Sequence, residues 1–191
     1  MSPTRTLHAA LVLLALAAGP LHAQITNHEA PGNLQSRLPL GCVALSAVTN
    51  QHTPADIYPA GAACIKAGAY QKAVALLAVA GTFAYYDEHR VTDVSARQAT
   101  LVLQMKAFEG ISGEQMRIFR KTLLAQMDQK SASFKSICSA VKRLGPPRYF
   151  PRYMVQHGMS AFAGQHGNGI KVEFETAQAW QDATGKYLHC R

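Results

Sequence analysis

Residues 53–85 read TPADIYPAGAACIKAGAYQKAVALLAVAGTFAY. Thr53 can cap a helix, Pro54 suits the first helical position, and Asp56 stands three residues after the cap. The spacing predicts a helix to about Ala67, with Gly68 as punctuation. A second helix is predicted from about Tyr70 to Tyr85, with Ala73, Leu76, Leu77 and Ala80 on one stripe. Two helices joined by so short a turn must lie antiparallel, which sets the expectation of an all-α fold built from helical hairpins.

The same periodicity continues downstream. Asp87-Glu88-His89-Arg90 is charged and reads as a bend. A third helix is expected after Thr92, carrying Val94, Leu101, Leu103, Met105 and Phe108 up to Gly110. Ser112 and Gln115 form a capping-box pattern for a fourth, with Met116, Phe119, Leu123 and Met127 at three- and four-residue spacing. Phe134, Ile137, Cys138, Val141 and Leu144 mark a fifth, ended by Gly145-Pro146-Pro147. Pro151 starts another that reaches about Ala163, and Gly164 to Gly169 is a loop. Ile170 to Phe174 alternates apolar and charged residues, which allows one short strand. Ala177 to Thr184 reads as a last helix, stopped by Gly185.

Upstream, the chain reads as an export leader. Arg5 supplies positive charge, LHAALVLLALAA (7–18) is apolar, Gly19-Pro20 breaks the run, and Ala23 stands before Gln24. The apolar run is shorter than the roughly 20 residues that cross a bilayer. Cleavage near Ala23 is expected, giving a periplasmic or secreted product. Residues 24–37 are polar and read as a flexible mature N-terminus. Residues 38–191 then make one domain, with a short helix expected over 38–49 around Cys42.

Cys42, Cys64, Cys138 and Cys190 are an even set in an exported chain, which implies disulfides. Four cysteines allow three pairings. Cys42–Cys64 with Cys138–Cys190 is favoured, because each bridge then pins a chain end onto a helix. The net charge is +8, from 19 basic and 11 acidic residues. The basic residues read as spread along the chain. Such a balance points to anionic lipid, polysaccharide or acidic proteins rather than nucleic acid.

The segment from Ile57 to Ala80 resembles one tetratricopeptide or Sel1-like helical hairpin. The matching positions are Ala60, Gly61, Cys64, Gly68, Tyr70, Ala73, Leu77 and Ala80. Small residues there let two helix axes approach closely, and Gly68 tolerates the turn. The proline usual after the second helix is replaced by Tyr85, and no second copy follows, so the resemblance implies a hairpin and not a solenoid. A further stretch, Ala84 to Asp93 continuing through Ala96-Arg97-Gln98-Ala99, looks like one recurrent in small exported proteins of Gram-negative bacteria. It implies a periplasmic location and carries no activity.

The densest polar cluster is Asp87, Glu88, His89, Arg90, Asp93 and Arg97. It reads either as a recognition face or as a helix start, with Asp93 and Arg97 spaced for an ion pair. Arg148-Tyr149-Phe150-Pro151-Arg152-Tyr153 is the second candidate, since Arg and Tyr are favoured at binding hot spots. The same aromatics can equally pack a turn.

Catalytic patterns fail one by one. Gly158-Met159-Ser160-Ala161-Phe162 does not complete GxSxG. His157, His166 and His189 lack zinc-ligand spacing. Asp87 and Glu88 are adjacent and would point apart. Residues 164–169 lack the Lys-Ser or Lys-Thr of a phosphate loop. No metal or cofactor is expected.

The leading expectation is an exported helical binding protein whose partner is another, acidic protein. An immunity protein or inhibitor of a secreted effector or envelope hydrolase is its concrete form. Two alternatives stay open. One is an envelope-acting enzyme with a dispersed site using Glu88, His89, Asp93 and His157. The other is a structural protein weakly held at an anionic membrane surface.

Overall fold

Thr53 is extended, at φ −85° and ψ 162°, and the chain turns helical at Pro54. Asp56 reaches back to accept from the Thr53 amide at 2.7 Å and hydroxyl at 2.8 Å. Helix α1 spans Pro54–Lys66 and α2 spans Tyr70–Arg90. Between them Gly68 sits at φ +73°, where a side chain would be strained. The Ala69 amide closes the turn onto the Cys64 carbonyl at 2.8 Å. Across the pair, Gly61 lies so near Leu77 that a Cβ there would come within 2.7 Å of its side chain. The expected hairpin is present, and glycine sets how closely its helices approach.

The computed structural model describes residues 30–164 and 167–190. The leader over 1–23, residues 24–29 and His166 lie outside them. Among the described residues the fold is all-α, stapled by Cys42–Cys64 and Cys138–Cys190. No described helix is long and apolar enough to cross a membrane.

A 3-10 turn, Val94–Arg97, leads into α3, Gln98–Phe108. Ser112 and Gln115 cap α4, Gly113–Gln126, by reciprocal bonds of 3.2 Å. Helix α5 is Ala132–Leu144 and ends at Gly145, φ +71°. Two one-turn helices follow, α6 at Arg152–Val155 and α7 at Met159–Phe162. Helix α8, Thr176–Asp182, runs into a π-helical turn, Ala183–Tyr187.

The core forms around α1 and α2. Helix α2 contributes Val74, Leu76, Val79 and Phe83, all fully buried. At its far end α8 docks through rings: Trp180 lies 6.1 Å from Phe83 and 6.2 Å from Tyr86.

Several expectations are corrected. Asp87 to Arg90 are not a bend but the last turn of α2, which continues past Tyr85 because Phe83, Ala84, Tyr86 and Asp87 are all buried. No strand forms over 170–174; Ile170 makes one isolated bridge to Val91, with no second strand beside it. Cys42 sits outside any helix, and the expected helix over 38–49 shrinks to a 3-10 turn at Leu45–Ala47. The helix expected from Pro151 to Ala163 breaks between α6 and α7. There Gly158 packs onto the Asp93 carboxylate and lies 3.0 Å, as a notional Cβ, from Ala96. Gly185 does not stop the last helix, which widens into the π turn and carries on to Tyr187.

Of the stretch read as flexible, residues 30–37 are tied down. The Leu34 amide donates to the Tyr153 carbonyl at 3.0 Å. Ser36 Oγ and the amides of Arg37 and Leu38 all donate to Asp56 Oδ1 at 2.7–2.8 Å. One buried carboxylate therefore caps α1 and anchors the incoming chain. Burial pushes the Asp56 carboxyl up, but Ser36, Thr53 and Leu38 outweigh that and hold it below its ordinary value.

Candidate functional site

Because α2 extends to Arg90, Asp87 enters the protein interior, with none of its surface exposed. Its Oδ1 accepts from Arg90 Nε at 2.8 Å and lies 2.7 Å from Nη2. Its Oδ2 accepts from the Tyr149 hydroxyl at 2.9 Å and the Tyr153 hydroxyl at 2.8 Å. The Arg90 guanidinium is stacked between two rings, 5.3 Å from the Tyr86 centroid and 5.1 Å from that of Tyr149. Burial pushes the Asp87 carboxyl up, while Arg90 and the two hydroxyls pull it back. Burial also lifts both tyrosines well above their ordinary value, and the adjacent carboxylate lifts them further, so they stay donors. With every acceptor site filled and water excluded, this carboxylate acts as a structural knot.

The two sequence candidates therefore meet, but inside the molecule. Tyr149 and Tyr153 turn inward onto Asp87, whereas Arg148, Phe150 and Arg152 remain exposed. Arg148 is held through its amide by the Asn50 carbonyl at 2.8 Å. Arg152 lies across Gly32, where a Cβ would run into its guanidinium.

The other members of the polar cluster disperse. Glu88 Oε1 accepts from Thr100 Oγ1 at 2.7 Å, joining α2 to α3. His89 Nδ1 lies 2.7 Å from the Tyr85 carbonyl, with its ring 4.3 Å from the Tyr85 ring. Asp93 does not pair with Arg97. Its Oδ1 accepts from the Ser95 amide and hydroxyl at 2.8 and 2.6 Å, and its Oδ2 from the Ser160 amide at 2.8 Å. Those bonds outweigh the effect of burial and pull its carboxyl down to about 2. Arg97 Nε is buried without a hydrogen-bond partner. His157 Nδ1 lies 2.9 Å from Asn33 Oδ1. Each group named for a dispersed catalytic site is thus engaged with its own neighbour. Among the described residues, no group of three or more His, Cys, Asp or Glu could hold a metal ion.

A concave surface lies elsewhere, over α4, α5 and the turn between them. It is an open groove of about 1140 Å³, lined by Leu123, Leu124, Met127, Phe134 and Cys138, with His189 at one side. Leu124 is 77% exposed, while Phe134 and Cys138 form a buried floor. Lys130, Lys135 and Lys142 also line the groove and are exposed. The turn between the helices is fixed by its own bonds. Lys130 N donates to Asp128 Oδ1 at 2.8 Å, Ser131 Oγ to the Gln126 carbonyl at 2.8 Å, and Phe134 N to Ser131 Oγ at 2.9 Å.

The positive charge is not evenly spread, as the sequence first reads. Residues 113–144 hold seven basic residues against Glu114 and Asp128. Arg117, Arg120 and Lys121 lie on α4; Lys135, Lys142 and Arg143 lie on α5; Lys130 sits between them. All seven are exposed. Five of the eight net charges therefore come from 32 residues. Counting charge by helix pair rather than along the whole chain reveals this without coordinates.

Comparison with family models, with curated proteins and with solved structures finds no match for this chain.

Proposed function

We propose that this is an exported helical binding protein whose partner is another protein with an acidic surface. The carrying observation is the open, preformed groove on α4–α5, apolar at its floor and basic around it. Such a surface combines area for anchoring with charge for steering an anionic partner. The polar cluster supports the same reading from the other side, since its central carboxylate is consumed by packing. The concrete form is an inhibitor or immunity protein that blocks a secreted effector or an envelope hydrolase. Two disulfides fit an oxidising compartment, and the leader read over 1–23 directs the chain to the periplasm or beyond it.

The test uses the disulfide-intact mature protein as bait in periplasmic extract. A retained protein is purified, recombined with the bait and assayed for hydrolytic or toxic activity. The expected result is a stable complex with that activity suppressed. Retention of nothing at low salt overturns the reading. The same basic residues favour a second reading, weak association with anionic membranes. Salt-sensitive sedimentation with anionic vesicles, in the absence of any protein partner, is its signature.

A further inference from the structure

We infer that the α4–α5 groove takes an acidic amphipathic helix: apolar side chains enter between Leu124, Met127 and Phe134, and carboxylates meet Lys130, Lys135 and Lys142. This deepens the binding reading above and rests on it.

Shape is the first argument. A helix with its side chains is about 10 Å across and rises 5.4 Å per turn, so 1140 Å³ accommodates on the order of three turns. A flat bilayer cannot fill a concave channel, whereas a helix laid in a groove is a recurrent recognition mode. The lining suits such a guest. Leu123 and Met127 are half-buried and offer adaptable apolar walls, while Leu124 stands out where an anchor residue can pack against it.

Charge is the second argument, and it selects among occupants. The pair carries seven basic residues against two acidic ones. A second copy of this chain would bring a basic surface to a basic groove, which like-charge repulsion disfavours. An acidic helix gains steering at long range and neutralisation at contact. The turn that joins the walls is already hydrogen-bonded, so little ordering is needed before the guest arrives.

The probe is a synthetic helical peptide of about fourteen residues, with leucines on one stripe and glutamates flanking it. It is titrated, fluorescently labelled, into the disulfide-intact mature protein. Two comparators have the same length, a scrambled peptide of identical composition and a twin with lysine for glutamate; anionic vesicles in place of peptide are the third comparator. We expect the striped acidic peptide to bind about tenfold more tightly than its scramble, and to weaken steeply as salt is raised. Leu124→Asp should weaken binding about tenfold. Lys135→Glu with Lys142→Glu should transfer the preference to the lysine twin. All altered side chains are exposed, so far-UV circular dichroism and thermal melting should match the parent.

Equal binding of striped and scrambled peptides overturns the inference, leaving only a charge effect. Indifference to the groove substitutions, binding of vesicles but not peptide, or no peptide binding at all does the same. A partner captured from extract that still binds the groove variants unchanged would preserve the binding reading and remove the groove from it.

Discussion

The α1–α2 and α4–α5 pairs are each two consecutive helices joined by a short turn, but α1 and α2 pack closely on one another, whereas α4 packs mainly on α2 and barely touches α5. Helix α1 buries ten of its thirteen residues, whereas α4 fully buries only Phe119 of fourteen. Residues 54–90 carry three basic and three acidic side chains, while 113–144 carry seven and two. The first pair satisfies two carboxylates internally, Asp56 on the incoming chain and Asp87 on Arg90. The second turns its charges outward. One pair is therefore a scaffold and the other a surface, and the difference lies in how closely the two helices pack as well as in their side chains.

If that division holds, substitutions of buried or bridged groups should cost far more than substitutions on the exposed face of α4–α5. Asp87→Ala should cost the most, about 3–5 kcal/mol, because it leaves the half-buried Arg90 guanidinium without its carboxylate. Urea denaturation followed by circular dichroism measures it, and a loss below about 1 kcal/mol would show that the knot is not structural. Replacing Cys138 and Cys190 together with serine should cost about 4 kcal/mol, from a closed loop of 52 residues. Removing the Cys42–Cys64 bridge should cost slightly less, because its loop is 22 residues.

Acid should act on the scaffold through Asp56. Its folded carboxyl titrates below the ordinary value of 3.8. The stability it contributes is complete above that value and is lost as pH falls through the lower folded value. Asp56→Asn should flatten this part of the stability–pH curve, and a curve of unchanged shape would refute the assignment. Smallest of all, Leu124→Asp or Lys135→Glu should move stability by no more than about 0.5 kcal/mol. A large loss there would mean that α4–α5 is part of the scaffold after all.

What was legible in the sequence follows the same division. Capping at Thr53 and Ser112 and the glycine turn at Gly68 read directly, because local chemistry determines them; the disulfides Cys42–Cys64 and Cys138–Cys190 are the favoured one of three pairings that the sequence leaves open. The position of Asp87 did not read directly. Its partners Tyr149 and Tyr153 stand 62 and 66 residues downstream, and no periodicity announces a contact of that range. A run of charge at residue 87 looks like solvent-facing chain until those hydroxyls arrive. Gly158 misled in the same way. It resembles a tolerable helix interior, yet its lack of a side chain is what admits the Asp93 carboxylate. The groove went unread for a different reason, since averaging charge over the whole chain hides a local excess.

Trp180 is the sole tryptophan in the chain, and it lies against Phe83 and Tyr86 at the far end of α2. Its emission therefore monitors one event, the seating of the C-terminal segment on that helix. Ellipticity at 222 nm instead sums over every helix. Disagreement between the two signals during unfolding would expose detachment of the tail as a separate step, without any label being added.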